Sequence, residues 1–451
     1  MSTSQTDIDQ TQAKLGPIWL QPGVSKSHCL ALFFGSFFTI GILTVVSAAT
    51  TYILWENLNI PSSEWGTITG NLAFWTEITQ ILLFGAIGVA ADKVGRRPIY
   101  VAGMLAFALG YGLYPFAESL EQLTLFRVIY AAGLACSTGM LATVAADYPQ
   151  NAIRGKMIAI IGVLNGLGVV TLNAVYGRLP SIFVDAGVDS VTAGRYALFV
   201  VVGICLLVAL VLRLGLKPGA PVSHEESKSS IELARAGFKQ AKNPRIALAY
   251  ASAFVARSDV VILGTFLMAW GVSTGQAMGL TVAEATQKGT IIFVITQSSA
   301  LVFSPIIGFF MDKVNRITGV TFCMFLGGIG FTLPALIDNP LESAAIPIFI
   351  VMGIGQISAF LGGTILIGQE APKSERGSVV GMFNVFGAVG ILVATGIGGR
   401  MFDQIGPAAP FVLIGMANFL LVFAGLYVRK KAPGFVPEAE QRLVNKVFGS
   451  R

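Results

Sequence analysis

Gly88-Val-Ala-Ala-Asp92-Lys93-Val-Gly95-Arg96-Arg97 decides how this chain is read. An apolar run (Ile81 to Ala91) precedes it and another (Pro98 to Ala117) follows, so it is a short charged hinge between two hydrophobic helices. Small residues at Gly88, Ala90 and Ala91 let a neighbouring helix approach closely. Asp92 falls at a helix end, where its carboxylate needs a partner. Gly95 supplies a tight turn, and Arg96 and Arg97 anchor that turn on one side of a bilayer.

The stretch returns once, as Gly308-Phe-Phe-Met-Asp312-Lys313-Val-Asn315-Arg316. Gly88 maps to Gly308 and Asp92 to Asp312, an offset of 220, with Asn315 replacing the turn glycine and Ile317 the second arginine. Arg154-Gly155 and Arg376-Gly377 each open an apolar run, and Gly177-Arg178 and Gly399-Arg400 close them, at an offset of 222. Two halves of one design follow, as internal repeats in transporters do.

Composition points the same way. Hydrophobic residues make up 54% of the chain and charged residues 12%, with a mean hydropathy of +0.73, which places it among polytopic membrane proteins. Apolar runs fall at about 28–54, 67–91, 98–117, 122–146, 157–177 and 196–216, then at about 246–271, 289–311, 317–337, 344–368, 377–399 and 408–428. Each can cross a hydrocarbon core of about 30 Å. The expected class is therefore all-α, with twelve transmembrane helices. The organisation is an N-terminal tail (1–27) without a signal-peptide core, a six-helix bundle (28–216), a central linker (217–245), a second bundle (246–428) and a C-terminal tail (429–451). In the linker, Ile231, Ala234 and Phe238 share one face of a short helix expected along the membrane surface.

Tails and alternate loops hold 24 of the 30 Lys and Arg residues, so both termini are expected in the cytoplasm. The setting would be a plasma membrane, or the inner membrane of a bacterium. That topology accounts for the +6 formal charge without nucleic acid.

The pattern G-x-x-x-D-x-x-G-R-R between two spans resembles the signature loop between helices 2 and 3 of the major facilitator superfamily. The resemblance covers about residues 28 to 430 and is specific at the superfamily level. It implies two pseudo-symmetric six-helix bundles around a central cavity that opens alternately to either side. Gly88, Asp92, Gly95, Arg96 and Arg97, with Gly308, Asp312 and Arg316 as the weaker copy, would form its cytoplasmic gate. Arg127-Val-Ile-Tyr130-Ala131-Ala-Gly133 is similar to the superfamily's R-x-x-x-G-x-G motif in span 4, where the arginine is associated with proton coupling. Ala131 replaces a usual glycine, and snorkelling to headgroups is the alternative role for Arg127. Span 5 lacks the Gly-Pro pair of the drug–proton antiporters.

Polar groups inside spans are the candidate chemistry, because burying them is costly without a use or a partner. Gly70, Ala73, Glu77, Gln80, Phe84 and Gly88 line one helix face, and the repeat puts Gln297 where Glu77 stands. Glu77 either titrates in the cavity or bonds a neighbouring helix as the neutral acid. Arg257 and Asp259, two apart, cannot simply pair on one helix. Asp259 could exchange a proton and Arg257 could hold an anion bidentately, or both could join an inter-helix ion network.

Cys29, Cys136, Cys205 and Cys323 offer neither a disulfide framework nor metal spacing, and no cofactor is expected. No P-loop, and hence no direct use of ATP, is evident. The chain reads as a monomeric secondary transporter of a small organic solute, anionic and proton-coupled, rather than an enzyme, with membrane lipids around it. A proton-driven exporter of hydrophobic or cationic compounds is the alternative, and a non-transporting sensor or lipid scramblase a third.

Overall fold

The computed structural model describes residues 13–219, 230–372 and 375–435. Among them twelve helices are long and apolar enough to cross a membrane. They are α1 (Lys26–Glu56), α2 (Trp65–Val94), α3 (Arg96–Leu113), α4 (Leu120–Asp147), α5 (Arg154–Asp185), α6 (Ser190–Gly215), α8 (Pro244–Ala277), α9 (Val282–Lys313), α10 (Arg316–Thr332), α11 (Ile346–Glu370), α12 (Arg376–Gln404) and α13 (Ala409–Lys431). Each expected apolar run falls on one of these helices, those at 98–117 and 317–337 running on into the short turns after α3 and α10. A short helix, α7 (Ser230–Lys239), stands between the two sets of six.

The chain divides into two compact units. The first takes in the chain up to Ile60, Trp75–Ser223 and Val282–Thr290. The second takes in Pro61–Phe74, His224–Thr281 and the chain from Ile291 onward. The first turns of α2 therefore belong with the later helices, and the first turns of α9 with the earlier ones.

Within each unit the same packing recurs: α1 on α5 and α3 on α4 in the first, α8 on α12 and α10 on α11 in the second. Glycines make these crossings possible. A Cβ on Gly168 of α5 would overlap the Phe37 carbonyl of α1, and one on Gly390 of α12 would overlap the Phe254 carbonyl of α8. Gly168 and Gly390 are 222 apart, the offset of the sequence repeat. Lipid tails give no hydrophobic reward for helix association, so such backbone-to-backbone contact supplies much of the attraction. In the first unit, buried tyrosines add hydrogen bonds: Tyr100 with Thr39 (2.7 Å), Tyr114 with Thr50 (2.9 Å), and Tyr130 donating to the Leu43 carbonyl (2.6 Å).

The described residues of the polar N-terminal tail begin with a hairpin. Lys14–Leu15 (β1) and Ile18–Trp19 (β2) form a small antiparallel hairpin. The chain after it pairs with the α4–α5 connection, where Gln21 N donates to the Tyr148 carbonyl (2.8 Å) and Gln150 N to the Trp19 carbonyl (3.0 Å). Ile18, Leu20 and Val24 are buried there.

Helix α7 lays Gly237 against Ser378 of α12, and the Tyr250 hydroxyl donates to the Gly237 carbonyl (2.9 Å). Arg235, Phe238 and Lys239 face outward. The side chains of Ile231 and Ala234, the linker from Ala220 to Ser229, the first 12 residues and the tail beyond Phe435 lie outside the described residues.

Candidate functional site

The polar residues singled out in the sequence fall in two clusters within the spans and at two charged hinges. In the first unit, α2 supplies Thr76, Glu77 and Gln80. Gln80 sits one turn beyond Glu77 and donates Nε2 to its Oε2 at 3.3 Å. Arg127 on α4 donates Nε to Thr76 Oγ1 at 2.9 Å, and its guanidinium lies 4.9 Å from the centre of the Tyr130 ring. Tyr130 is itself fixed by its bond to the Leu43 carbonyl and by an edge contact with Tyr111. Arg127 is 7% exposed and Glu77 is 9% exposed. Arg127 is thus enclosed, and among the described residues its Nη1 has no hydrogen-bond partner.

In the second unit, Arg257 and Asp259 leave α8 in different directions, as a two-residue step on a helix requires. Arg257 runs beside Gly387 of α12 and donates Nη2 to Asn384 Oδ1 at 2.7 Å. Asp259 is 0% exposed and meets α13, where Asn418 Nδ2 lies 3.3 Å from each carboxylate oxygen. Gln297 on α9, the repeat counterpart of Glu77, has a buried Oε1 with no partner among the described residues. Gln356 on α11 presents a second such oxygen, which the linear pattern does not single out.

The hinge quoted first closes on itself. Gly95 precedes α3 with a φ of 103°, open to glycine and strained for other residues. Arg96 holds Asp92 through Nη1 at 2.5 Å and Asp147 of α4 through Nε at 3.3 Å. Arg97 Nη1 reaches the Leu216 carbonyl at 3.5 Å. A Cβ on Gly88 or on Gly308 would meet open space. In the second copy Arg316 holds Asp312 at 3.0 Å and donates Nε to Gln369 Oε1 at 2.9 Å. Asn315 does without the glycine by capping α10, its Oδ1 accepting from Ile317 N at 2.9 Å and Thr318 N at 3.3 Å. The third members, Asp147 and Gln369, escape the motif because they come from the next helix. The 222-residue offset that relates them is nonetheless in the sequence.

The second unit also contains a cavity of about 540 Å³ where α8, α10 and α12 end, lined by Trp270, Thr274, Asp338, Ile405, Pro407 and Val412 among others.

Twelve apolar helices, an internal repeat and polar groups placed within the spans define an integral, multi-pass transporter. The chain belongs to the Major Facilitator Superfamily, whose sequence model matches residues 32–295 and 260–450. It is a transporter and not an enzyme. It is 29% identical over 412 residues to magnetosome protein MamH of Paramagnetospirillum magneticum, covering 89% of this chain and 92% of that one. It is 25% identical to magnetosome protein MamZ of Magnetospirillum gryphiswaldense, with 79% of this chain and 55% of that one covered. The multi-drug resistance efflux pump PmrA of Streptococcus pneumoniae is 23% identical, with 86% and 92% covered. Among solved structures, a mutant of the nucleoside transporter NupG superposes with a TM-score of 0.71 at 16% identity, covering 88% of this chain and 99% of that one. A POT family transporter does so with a TM-score of 0.67 at 14% identity, covering 89% and 96%. These two likenesses speak for the fold alone.

Proposed function

We propose that the protein is a secondary active transporter that moves a small organic anion, coupled to protons, by alternating access. The observation that carries the reading is Arg127. Arg127 lies about two turns inside α4 and is 7% exposed, and a guanidinium enclosed within a span is costly without a use or a partner. The partners seen for Arg127 are a hydroxyl and an aromatic face, and Nη1 is left with a donor to spare. A carboxylate or phosphate would meet that donor with a charge-assisted bond.

Glu77 follows Thr76, the residue that Arg127 bonds, and is itself buried midway along α2. That makes Glu77 the leading proton site. The monomer sits in a plasma membrane, or in a bacterial inner membrane, with both termini cytoplasmic. The distribution of Lys and Arg supports that orientation.

A thermal-shift screen of organic anions against cations, followed by proteoliposome uptake with and without a pH gradient, tests the proposal. Stabilisation by anions and gradient-driven uptake support it. A second reading, export of hydrophobic or cationic compounds, is favoured by the likeness to an efflux pump and by the amphipathic cavity with Asp338 at its edge. Stabilisation by cations alone would select it. A protein that moves no solute in either direction would be a sensor or a scramblase.

A further inference from the structure

Asp403 is the penultimate residue of α12, and its carboxylate accepts two backbone hydrogen bonds from the start of α2. Oδ1 takes Gly66 N at 2.8 Å and Oδ2 takes Thr67 N at 2.7 Å. The first N–H groups of a helix have no partner within it and carry the positive end of its dipole. A carboxylate there makes charge-assisted bonds, stronger than neutral ones. The backbones cross tightly beneath this contact. A Cβ on Gly66 would come within 2.6 Å of the Gly399 carbonyl oxygen, and one on Gly70 within 2.6 Å of the Thr395 carbonyl oxygen.

The sequence repeat locates the counterpart. The 220-residue offset carries Thr67 to Gln287 and Gly70 to Thr290, and the 222-residue offset carries Gly177 to Gly399 and Ser181 to Asp403. The equivalent crossing is present in the first unit. A Cβ on Gly177 of α5 would lie 2.6 Å from Thr290 Cβ of α9, and Ser181 Oγ bonds Gln287 Oε1 at 3.2 Å. Two charged bonds to backbone thus stand opposite one neutral bond between side chains.

We infer that Asp403 is a positioning residue, a releasable clasp fastening the start of α2 to α12, and that the α5–α9 crossing has only a weak equivalent. Glu77 lies ten residues beyond Thr67 on the same helix, about 15 Å along its axis. The clasp and the proposed proton site therefore lie on one helix. The inference rests on the transporter identity and on no particular substrate.

The test uses the full chain, freed of its native cysteines, with single reporter cysteines and a charged methanethiosulfonate reagent. Thr395→Cys and Thr290→Cys report the two crossings, each residue being 1% exposed. Asp403→Ala should speed labelling of Thr395→Cys about tenfold, with Asp403→Asn intermediate and Asp403→Glu restoring protection. Ser181→Ala should change Thr290→Cys by less than about twofold. Equal labelling of Thr395→Cys in parent and Asp403→Ala overturns the clasp, and equal responses at the two crossings overturn the asymmetry. A buried control, Ser252→Cys, reports unfolding. If Asp403→Ala exposes that control, the isosteric Asp403→Asn decides: faster Thr395→Cys labelling supports the clasp, and parent-like protection overturns it.

Discussion

Arg96 reaches Asp147 from one helix to the next: its Nε lies 3.3 Å from Oδ2 of an acid 51 residues further along the chain. The same guanidinium holds Asp92 on its own side of the hinge, so one cation fastens α2, α3 and α4 together. In the second copy, Gln369 occupies the place of Asp147 and the cluster has one negative charge fewer. The two hinges are built alike but are electrostatically unequal.

The first prediction follows from that inequality. Asp92 is 68% exposed on its side chain and Asp147 is 46% exposed, so neither ion pair adds much stability; surface pairs contribute about 0–1 kcal/mol. Asp92→Asn and Asp147→Asn should leave the melting temperature and the yield of folded protein nearly unchanged. Turnover of the anion selected by the thermal-shift screen should fall severalfold in each. Asp312→Asn should have the smaller effect. Parent-like turnover in both Asp92→Asn and Asp147→Asn would remove the hinge from the transport cycle.

The N-terminal hairpin carries the second prediction. Leu20 is fully buried beside the α4–α5 connection, which begins at Tyr148, the residue after Asp147. Leu20→Ala deletes buried carbon and should destabilise this corner by about 2–4 kcal/mol. Hydrogen exchange at the Tyr148 and Gln150 amides reads the effect directly. Faster exchange there, with α8 to α13 unchanged, is the expected result. Unchanged exchange at the Tyr148 and Gln150 amides would mean that the hairpin does not brace the connection.

The spans, the repeat and the hinge were legible because each depends on composition or on fixed local spacing. The hairpin was legible only in fragments. Gly16 and Gly23 both adopt positive φ, and the adjacent Pro17 and Pro22 mark turns, yet two-residue strands leave no periodic trace. Partners of buried polar groups were harder still. That Asp259 meets Asn418 and Arg257 meets Asn384 depends on how α8 is rotated against α12 and α13. Glycines such as Gly387 and Gly390 set that rotation, and their close approaches cannot be read from one helix alone.

Proton coupling is the subject of the third prediction. Glu77 shares a helix turn with Gln80 and follows the threonine that holds Arg127. Asp259 is enclosed against α13 with no exposure. Glu77→Gln should abolish the dependence of uptake on a pH gradient while exchange of substrate without a gradient persists. Asp259→Asn keeps the shape of the side chain and a bond to Asn418, and should retain gradient-driven uptake. The reverse pattern would move the proton site to Asp259.

The last prediction concerns charge selectivity and separates the anion reading from the exporter. Arg127 lies about two turns inside α4, where it bonds Thr76, and Arg257 lies near the middle of α8, where it bonds Asn384. If either holds an anion, the planar guanidinium matters as well as its charge, because it can present two parallel N–H groups to a carboxylate. Arg127→Lys should weaken binding of the selected anion by about 1.5–3 kcal/mol, the range for hydrogen bonds to charged groups. Arg257→Lys should cost less, since Arg257 is only half-buried where Arg127 is enclosed. Arg127→Ala should be worse than Arg127→Lys, and an uncharged analogue of the anion should lose little between parent and Arg127→Ala. Isothermal titration on the purified variants measures each difference. Anion affinity unchanged in both Arg127→Ala and Arg257→Ala would rule out the anion site and favour export of cationic compounds, with Glu77 as the acid that receives them.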